Sequence, residues 1–212
     1  MAQAVEARRR VKVKDGSVAH AMDRSLMDRL VSWAGAVVAV SLIALGGAAI
    51  FGGSFALDNV RDRLEPQNIT FPPAEAMSDF DKAEGLTAFA GEKVDTGAEA
   101  EAFSRYIGGH LTDVNEGESY SETSSESRAY AAEVGENPTE AEAARMAELD
   151  GKVQTLFRGE TLRAILLNAY GWWTVGQITF YAGIGMVVAG LILAVLVAFG
   201  FRHARKAAAS VA

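Results

Sequence analysis

The side chains that most often bind metals or carry protons are few and widely separated in this chain. Its three histidines are His20, His110 and His203, and it contains no cysteine. Metal sites in enzymes need several histidine, cysteine or carboxylate ligands that converge on one point. The chain also lacks the HExxH, P-loop and GxSxG motifs of metalloproteases, nucleotide-binding proteins and serine hydrolases. We therefore expect no catalytic residue, no metal, no cofactor and no enzymatic activity.

Two segments and one histidine resemble functional sites in part. The sequence DVNEG, residues 113–117, has the acidic spacing of a calcium loop, but its glycine falls one position early and the distal glutamate is missing. His110 lies on the apolar face of its predicted helix, so we expect a packed, hydrogen-bonded histidine rather than a ligand or a pH switch. The acidic, serine-rich residues 115–127 predict a solvated loop, with a docking face for a basic partner as the alternative.

Two long uncharged runs determine the architecture that we expect. Residues 31–55 and 171–201 contain no Asp, Glu, Lys, Arg or His. About 20 apolar residues are enough to cross the hydrocarbon core of a bilayer, so we predict transmembrane helices over 31–55 and 172–201. The alternatives are buried helices of a soluble protein or, for the first run, a signal peptide cleaved near the small residues Ser54 and Ala56.

Charge is unevenly distributed along the chain and predicts its orientation. The net charge is +3 over residues 1–30, −13 over 56–171 and +3 over 202–212. Because basic flanks remain in the cytoplasm, we predict a plasma-membrane protein with both termini cytoplasmic and residues 56–171 forming an acidic extracytoplasmic domain. The lipid bilayer is the expected partner, and the basic segment RRRVKVK near the N-terminus is expected to contact anionic lipid rather than nucleic acid.

Helix signals recur through the segment between the two runs. Capping patterns predict helix starts at TGAE, from Thr96, at TSSE, from Thr123, and at NPTE, from Asn137. Gly159 is expected to be a bend or weak point in the last of these helices. Residues 71–85, which are rich in proline and acid, are expected to form an ordered loop without regular structure.

The apolar faces of these helices predict how they pack. Leu57, Val60 and Leu64 share one face of a helix that leaves the first span and stops at Pro66. An opposite face is expected on the helix that enters the second span, at Leu162, Ile165, Leu166 and Ala169. We therefore predict an all-α membrane protein, with two transmembrane helices extended outward as an antiparallel stalk and capped by a small helical domain.

Two sets of residues are predicted to serve the membrane itself. Aromatic residues near the ends of the spans suit the membrane–water boundary, and we expect interface anchors at Trp33, Tyr170, Trp172 and Trp173. Small residues four positions apart allow helix backbones to approach closely. They predict helix packing, either between the two spans of one chain or with another subunit, at Ala48, Gly52, Gly185, Ala189, Gly190 and Ala194.

Three segments of the chain carry a resemblance to a known group. NVRDRLEPQNITFPP, GGHLTDVNEGESYSETS and VQTLFRGETLRAILLNAYGWW resemble segments of small two-span membrane proteins from actinobacteria, and the resemblance covers the first span through the second. Some members of the group carry the label of an aromatic ring-opening dioxygenase. The residues do not support that activity, because its non-haem iron needs two histidines and a carboxylate together. In the predicted topology the membrane separates His110 from His20 and His203.

The leading functional hypothesis is a non-enzymatic membrane protein. It would be an accessory or scaffold subunit whose extracytoplasmic helical domain contacts a membrane or envelope partner. A self-assembling two-span channel or pore is one alternative, since both spans contain glycine and could pack tightly. A sensor that binds a ligand outside the cell and acts through a partner is another.

Overall fold

The protein is all-α over the residues that its structure describes. A computed structural model describes residues 2–209, with side chains described over 26–206. The described part contains no β-strand, only an isolated antiparallel bridge between Thr70 and Lys93. Three short 3-10 helices, at Glu65–Gln67, Ala74–Ala76 and Leu86–Phe89, accompany five α-helices: α1 (Ala2–Leu64), α2 (Asp79–Ala83), α3 (Gly97–Val114), α4 (Tyr120–Val134) and α5 (Glu140–Ala209).

Helices α1 and α5 contain the two uncharged runs. Two segments, Leu26–Gln67 and Glu140–Lys206, are long and apolar enough to cross a membrane. Only 11% and 6% of their most apolar stretches are buried within the protein. A core helix of a soluble protein would bury far more of its apolar surface. In their low burial, these two helices are unlike such a core helix.

The chain forms two compact units. One comprises residues up to Gly52 together with those from Ile178 onward, and we call it the two-helix unit. The other comprises Gly53–Gln177, and we call it the central unit. The chain passes from one unit to the other between Gly52 and Gly53 and again between Gln177 and Ile178.

The central unit has a hydrophobic core built from many short elements. Phe71 is only 2% exposed and lies at its centre, with Phe89, Phe103 and Tyr106 around its ring at centroid distances of 5.5, 5.0 and 6.3 Å. Helices α1 and α5 both contribute buried side chains to the same cluster, which includes Val60, Leu64, Met77, Leu86, Val94, Ala100 and Leu166.

The packing of the outward helix faces agrees only in part with the prediction. Val60 and Leu64 of α1 are buried in one cluster with Leu166 of α5, and α1 ends at Leu64, just before Pro66. Leu162 and Ile165, however, are exposed. The predicted apolar face of α5 is therefore wider than the surface that the core covers.

The predicted helix starts are correct at one site and displaced at two. Helix α3 begins after Thr96, where Glu99 accepts the Thr96 backbone N–H at 2.7 Å. Helix α4 begins after Ser119 rather than Thr123, because the capping box that forms is Ser119 with Glu122. Helix α5 begins after Thr139, whose N–H and hydroxyl donate to the Glu142 carboxylate.

Two further expectations for the central unit are wrong. Residues 71–85 are not irregular, because they contain a 3-10 helix and α2, which is capped by Ser78 and Asp81. Gly159 does not interrupt α5. A Cβ atom placed on Gly159 would lie 2.5 Å from a methyl carbon of Leu111, so the glycine admits a side chain of α3 instead of bending the helix.

Candidate functional site

Glycines bring α1 and α5 into backbone contact in the two-helix unit. A Cβ atom placed on Gly46 would lie 2.8 Å from the carbonyl oxygen of Gly183, and one placed on Gly183 would lie 2.7 Å from that of Gly46. Gly190 similarly faces the carbonyl oxygen of Ala39 at 3.0 Å. Only glycine permits so close an approach of two helix backbones.

The predicted packing residues are only partly used in this contact. Gly190 is buried against Ala39 and its neighbours, and Ala194 is half-buried. The remaining four are exposed, and a Cβ atom on either Gly52 or Gly185 would meet no atom within 4 Å. These four residues therefore take no part in the contact between α1 and α5. Contact with another subunit stays a prediction for Ala48, Gly52, Gly185 and Ala189.

The four predicted anchor residues occupy different surroundings. In the two-helix unit, Trp33 is exposed and meets Phe201 edge to face at 5.7 Å. In the central unit, Tyr170 and Trp172 are exposed, as a residue at a membrane boundary would be. Trp173 differs, because its half-buried ring packs on Gly97 and lies 5.9 Å from the guanidinium of Arg61.

The central unit carries an apolar groove beside α5, along its residues from Phe157 to Asn168. We call it the outer groove; its volume is about 640 Å³, and it is lined by Tyr120, Phe157, Glu160, Thr161, Ala164, Ile165 and Asn168. Phe157 and Ile165 are 54% and 56% exposed. Exposed apolar side chains grouped around a concavity are typical of surfaces that bind other molecules.

The turn between α3 and α4 fixes one wall of the outer groove. Buried Asn115 donates from Nδ2 to the Thr123 hydroxyl at 2.6 Å and to the Glu118 carbonyl at 3.1 Å. Ser119 caps α4 directly after this turn. The ring of Tyr120 is thereby held 6.1 Å from that of Phe157.

Contacts with α3 fix the other wall. The Arg163 guanidinium donates from Nε to the Ser104 carbonyl at 3.2 Å and pairs with Glu160 at 2.8 Å. Leu111, which also belongs to α3, packs on Gly159 of α5. One face of α5 is thus occupied by α3, and the adjacent face with Phe157 and Ile165 remains exposed.

The pKa values of three groups in the central unit are shifted by helix capping or by burial. The backbone N–H and hydroxyl of Ser119 donate to Glu122 and lower the pKa of its carboxyl, and Thr139 lowers the pKa of Glu142 in the same way. Burial raises the pKa of Tyr106, with a smaller contribution from Asp81. These groups cap helices or pack in the core, and none of them lines the outer groove.

The histidines do not converge in the described part of the chain. The expected packed histidine is found in part, because the His110 ring packs edge-on against Tyr106 at a centroid distance of 4.4 Å but remains exposed. His203 lies in the other unit, and the side chains of His20 and of the RRRVKVK segment lie outside the described residues. Over residues 26–206, no group of three or more His, Asp or Glu side chains could hold a metal ion.

Comparisons of the chain with protein-family models, with curated proteins and with solved structures find no match. A functional hypothesis for this chain therefore depends on its own surfaces, charges and contacts.

Proposed function

We propose that the protein is a non-enzymatic integral membrane protein that serves as an accessory or scaffold subunit. The observation that carries this proposal is the low burial of two apolar helices, at 11% and 6% of their most apolar stretches. Each Å² of apolar surface left in water costs about 25 cal/mol. A lipid bilayer would cover this surface without requiring a larger protein core.

The proposed topology is an antiparallel pair of spans with both termini in the cytoplasm. It rests on the net charges of +3, −13 and +3 over residues 1–30, 56–171 and 202–212, because cytoplasmic flanks are enriched in Lys and Arg. The glycine contacts between α1 and α5 are compatible with two helices that cross the membrane in opposite directions. Residues 56–171 would then form the extracytoplasmic part.

The outer groove is the proposed contact site for a partner. Its α5 residues lie from about half a turn to about four turns before Tyr170 and Trp172, the proposed boundary residues, and each turn of an α-helix advances about 5.4 Å. A partner that reaches it would be another membrane protein or an envelope protein close to the bilayer. The apolar lining and the acidic charge of this domain favour a partner helix with an apolar face and flanking basic residues.

The proposal is tested by the native mass of the full-length protein, extracted gently from its own host. We expect a complex with a different protein at a fixed ratio. Phe157→Glu should release that partner, because a carboxylate in an apolar groove must be desolvated without compensation. Val114→Glu is the matched control, since Val114 is also an exposed apolar residue of the central unit but does not line the groove.

The outcomes separate the proposal from its alternatives. A partner that is retained by Val114→Glu and lost by Phe157→Glu supports docking at the outer groove. Loss from both variants, or from neither, contradicts it. A wild-type protein that is always recovered alone contradicts the accessory role.

A self-assembling channel is the second candidate. The exposed Ala48, Gly52, Gly185 and Ala189 favour it, because small residues on outward helix faces allow a second copy to pack closely. In the native-mass experiment it predicts a closed homo-oligomer of several chains and no different protein. Substitution of Gly52 by Leu should dissociate such an oligomer into single chains.

A further inference from the structure

The two-helix unit contains a cavity that the proposed function does not use. It has a volume of about 860 Å³ and lies between α1 residues 27–32 and α5 residues 199–206. We call it the terminal cavity. Its volume is within the range of about 300–1,000 Å³ that is usual for ligand sites.

Basic side chains form part of the lining of the terminal cavity. Arg202 and Lys206 are four residues apart on α5 and therefore share a helix face, and His203 also lines the cavity. Asp28 is the one carboxylate in the lining, and over the described residues it forms no ion pair with these groups. The two positive charges of Arg202 and Lys206, against the one negative charge of Asp28, leave the lining with a net charge of +1.

Apolar side chains form another part of the lining. Met27, Val31 and Phe199 border the cavity and are exposed. Val31 and Phe199 belong to the uncharged runs of α1 and α5. A ligand that matches both parts of the lining has an anionic group for the basic side chains and hydrocarbon for the apolar ones.

We infer that the terminal cavity binds one anionic phospholipid, with its phosphate between Arg202 and Lys206 and its acyl chains along Val31 and Phe199. The inference rests on the proposed membrane insertion, which places this end of both helices at the cytoplasmic leaflet. Anionic lipids are concentrated in that leaflet, and basic pockets between transmembrane helices recognise their head groups. The hydroxyl of Ser32, which also lines the cavity, donates to the Asp28 carbonyl at 2.7 Å.

Native mass spectrometry of the purified full-length protein tests the inference. Phosphatidylglycerol and phosphatidylcholine with identical acyl chains are titrated against the protein in detergent. We expect one phosphatidylglycerol to bind at least about tenfold more tightly than phosphatidylcholine, since each basic residue near an anionic surface contributes about 1 kcal/mol and 1.4 kcal/mol is tenfold. The double variant Arg202→Gln and Lys206→Gln should lose this preference.

The matched control removes equal charge outside the cavity. Arg29→Gln with Arg205→Gln changes two exposed basic residues of the same helix ends that do not line the terminal cavity. It should retain the lipid preference within about twofold. Equal losses in the two double variants would indicate general surface attraction and overturn the inference, as would a wild-type protein without any preference.

Two further measurements keep this test independent of the proposed function. Recovery of each variant in the membrane fraction reports insertion, and failure of the wild-type protein to enter that fraction contradicts the proposed function and the inference together. Binding of a protein partner at the outer groove is measured in the same preparations. A wild-type protein that enters the membrane and binds its partner, but shows no lipid preference, would overturn only the lipid site.

Discussion

Buried small residues recur every seven residues along the contact between α1 and α5 in the two-helix unit. In α1 they are Ser32, Ala39 and Gly46, and in α5 they include Gly183 and Gly190. A repeat of seven keeps one side of each helix facing its neighbour over many turns. A search for small residues four apart selects Ala48 with Gly52 and Gly185 with Ala189, which the structure leaves exposed.

The first prediction concerns Gly46. Gly46→Ala should reduce the free energy of unfolding by about 1–3 kcal/mol, as overpacking of a tight contact does, because the new methyl group meets the backbone of Gly183 and no side-chain rotation can relieve it. Gly47→Ala is the control, since a Cβ atom there meets nothing within 4 Å. Unfolding of the detergent-solubilised protein by increasing SDS measures both. Equal stability of the two variants would contradict the backbone contact.

The second prediction compares two phenylalanines of the central unit. Phe71→Ala should lower the free energy of unfolding by about 3–5 kcal/mol, because it leaves a cavity among three aromatic rings. Phe157→Ala should cost less than about 1 kcal/mol, since this ring is half-exposed in the outer groove. Thermal unfolding of the full chain, followed by tryptophan fluorescence, measures both changes. A large loss with Phe157→Ala would mean that the outer groove is part of the core rather than a binding surface.

At the level of elements, the helix starts depend on which of several polar residues acts as the cap. Ser119 and Thr123 each precede a glutamate by three residues, Glu122 and Glu126. The turn that buries Asn115 and Thr123 selects Ser119 as the N-cap of α4. Thr123 then lies inside the helix, where its hydroxyl donates to the Ser119 carbonyl at 3.1 Å. Sequence patterns alone do not distinguish among these candidates because the choice depends on a buried contact.

The third prediction concerns the pH dependence of this cap. The folded protein lowers the pKa of Glu122, so its stabilising effect is present above the ordinary value of 4.5 and is lost as the pH falls through the lower folded-state pKa. Ser119→Ala should raise the pKa of Glu122 toward 4.5, because the hydroxyl donor is removed while the backbone donor remains. A carboxyl-carbon NMR titration measures it. Ser121→Ala is the control, and an identical pKa in the two variants would contradict the cap.

At the level of the whole molecule, the absence of cysteine from the sequence allows a direct test of topology. A single cysteine at Glu136 should react with a membrane-impermeant maleimide in intact cells, because the turn between α4 and α5 is proposed to lie outside. A single cysteine at Arg205 should react only after permeabilisation. Both positions are exposed, so access by the reagent depends on the membrane alone. The reverse pattern would invert the proposed orientation, and labelling of both positions in intact cells would contradict insertion.

Composition and local spacing are sufficient for much of the architecture. The uncharged runs predict two long apolar helices, and the capping pattern at Thr96 predicts the start of α3, because both depend on residues that are close in the chain. The end of α1 near Pro66 follows from the missing backbone N–H of proline. Helical class and the approximate limits of the elements are therefore local properties of this sequence.

The contacts between distant residues are decided only when the elements pack. By helix propensity alone, Gly159 and Gly46 are weak positions in their helices. In the folded chain each glycine leaves room for a close contact from another helix. Leu162, Ile165 and Leu166 share an apolar pattern, but only Leu166 is covered, because α3 and the core occupy a limited part of the surface of α5. The outer groove and the terminal cavity are likewise formed by residues far apart in the chain, and no local spacing specifies which of them will meet.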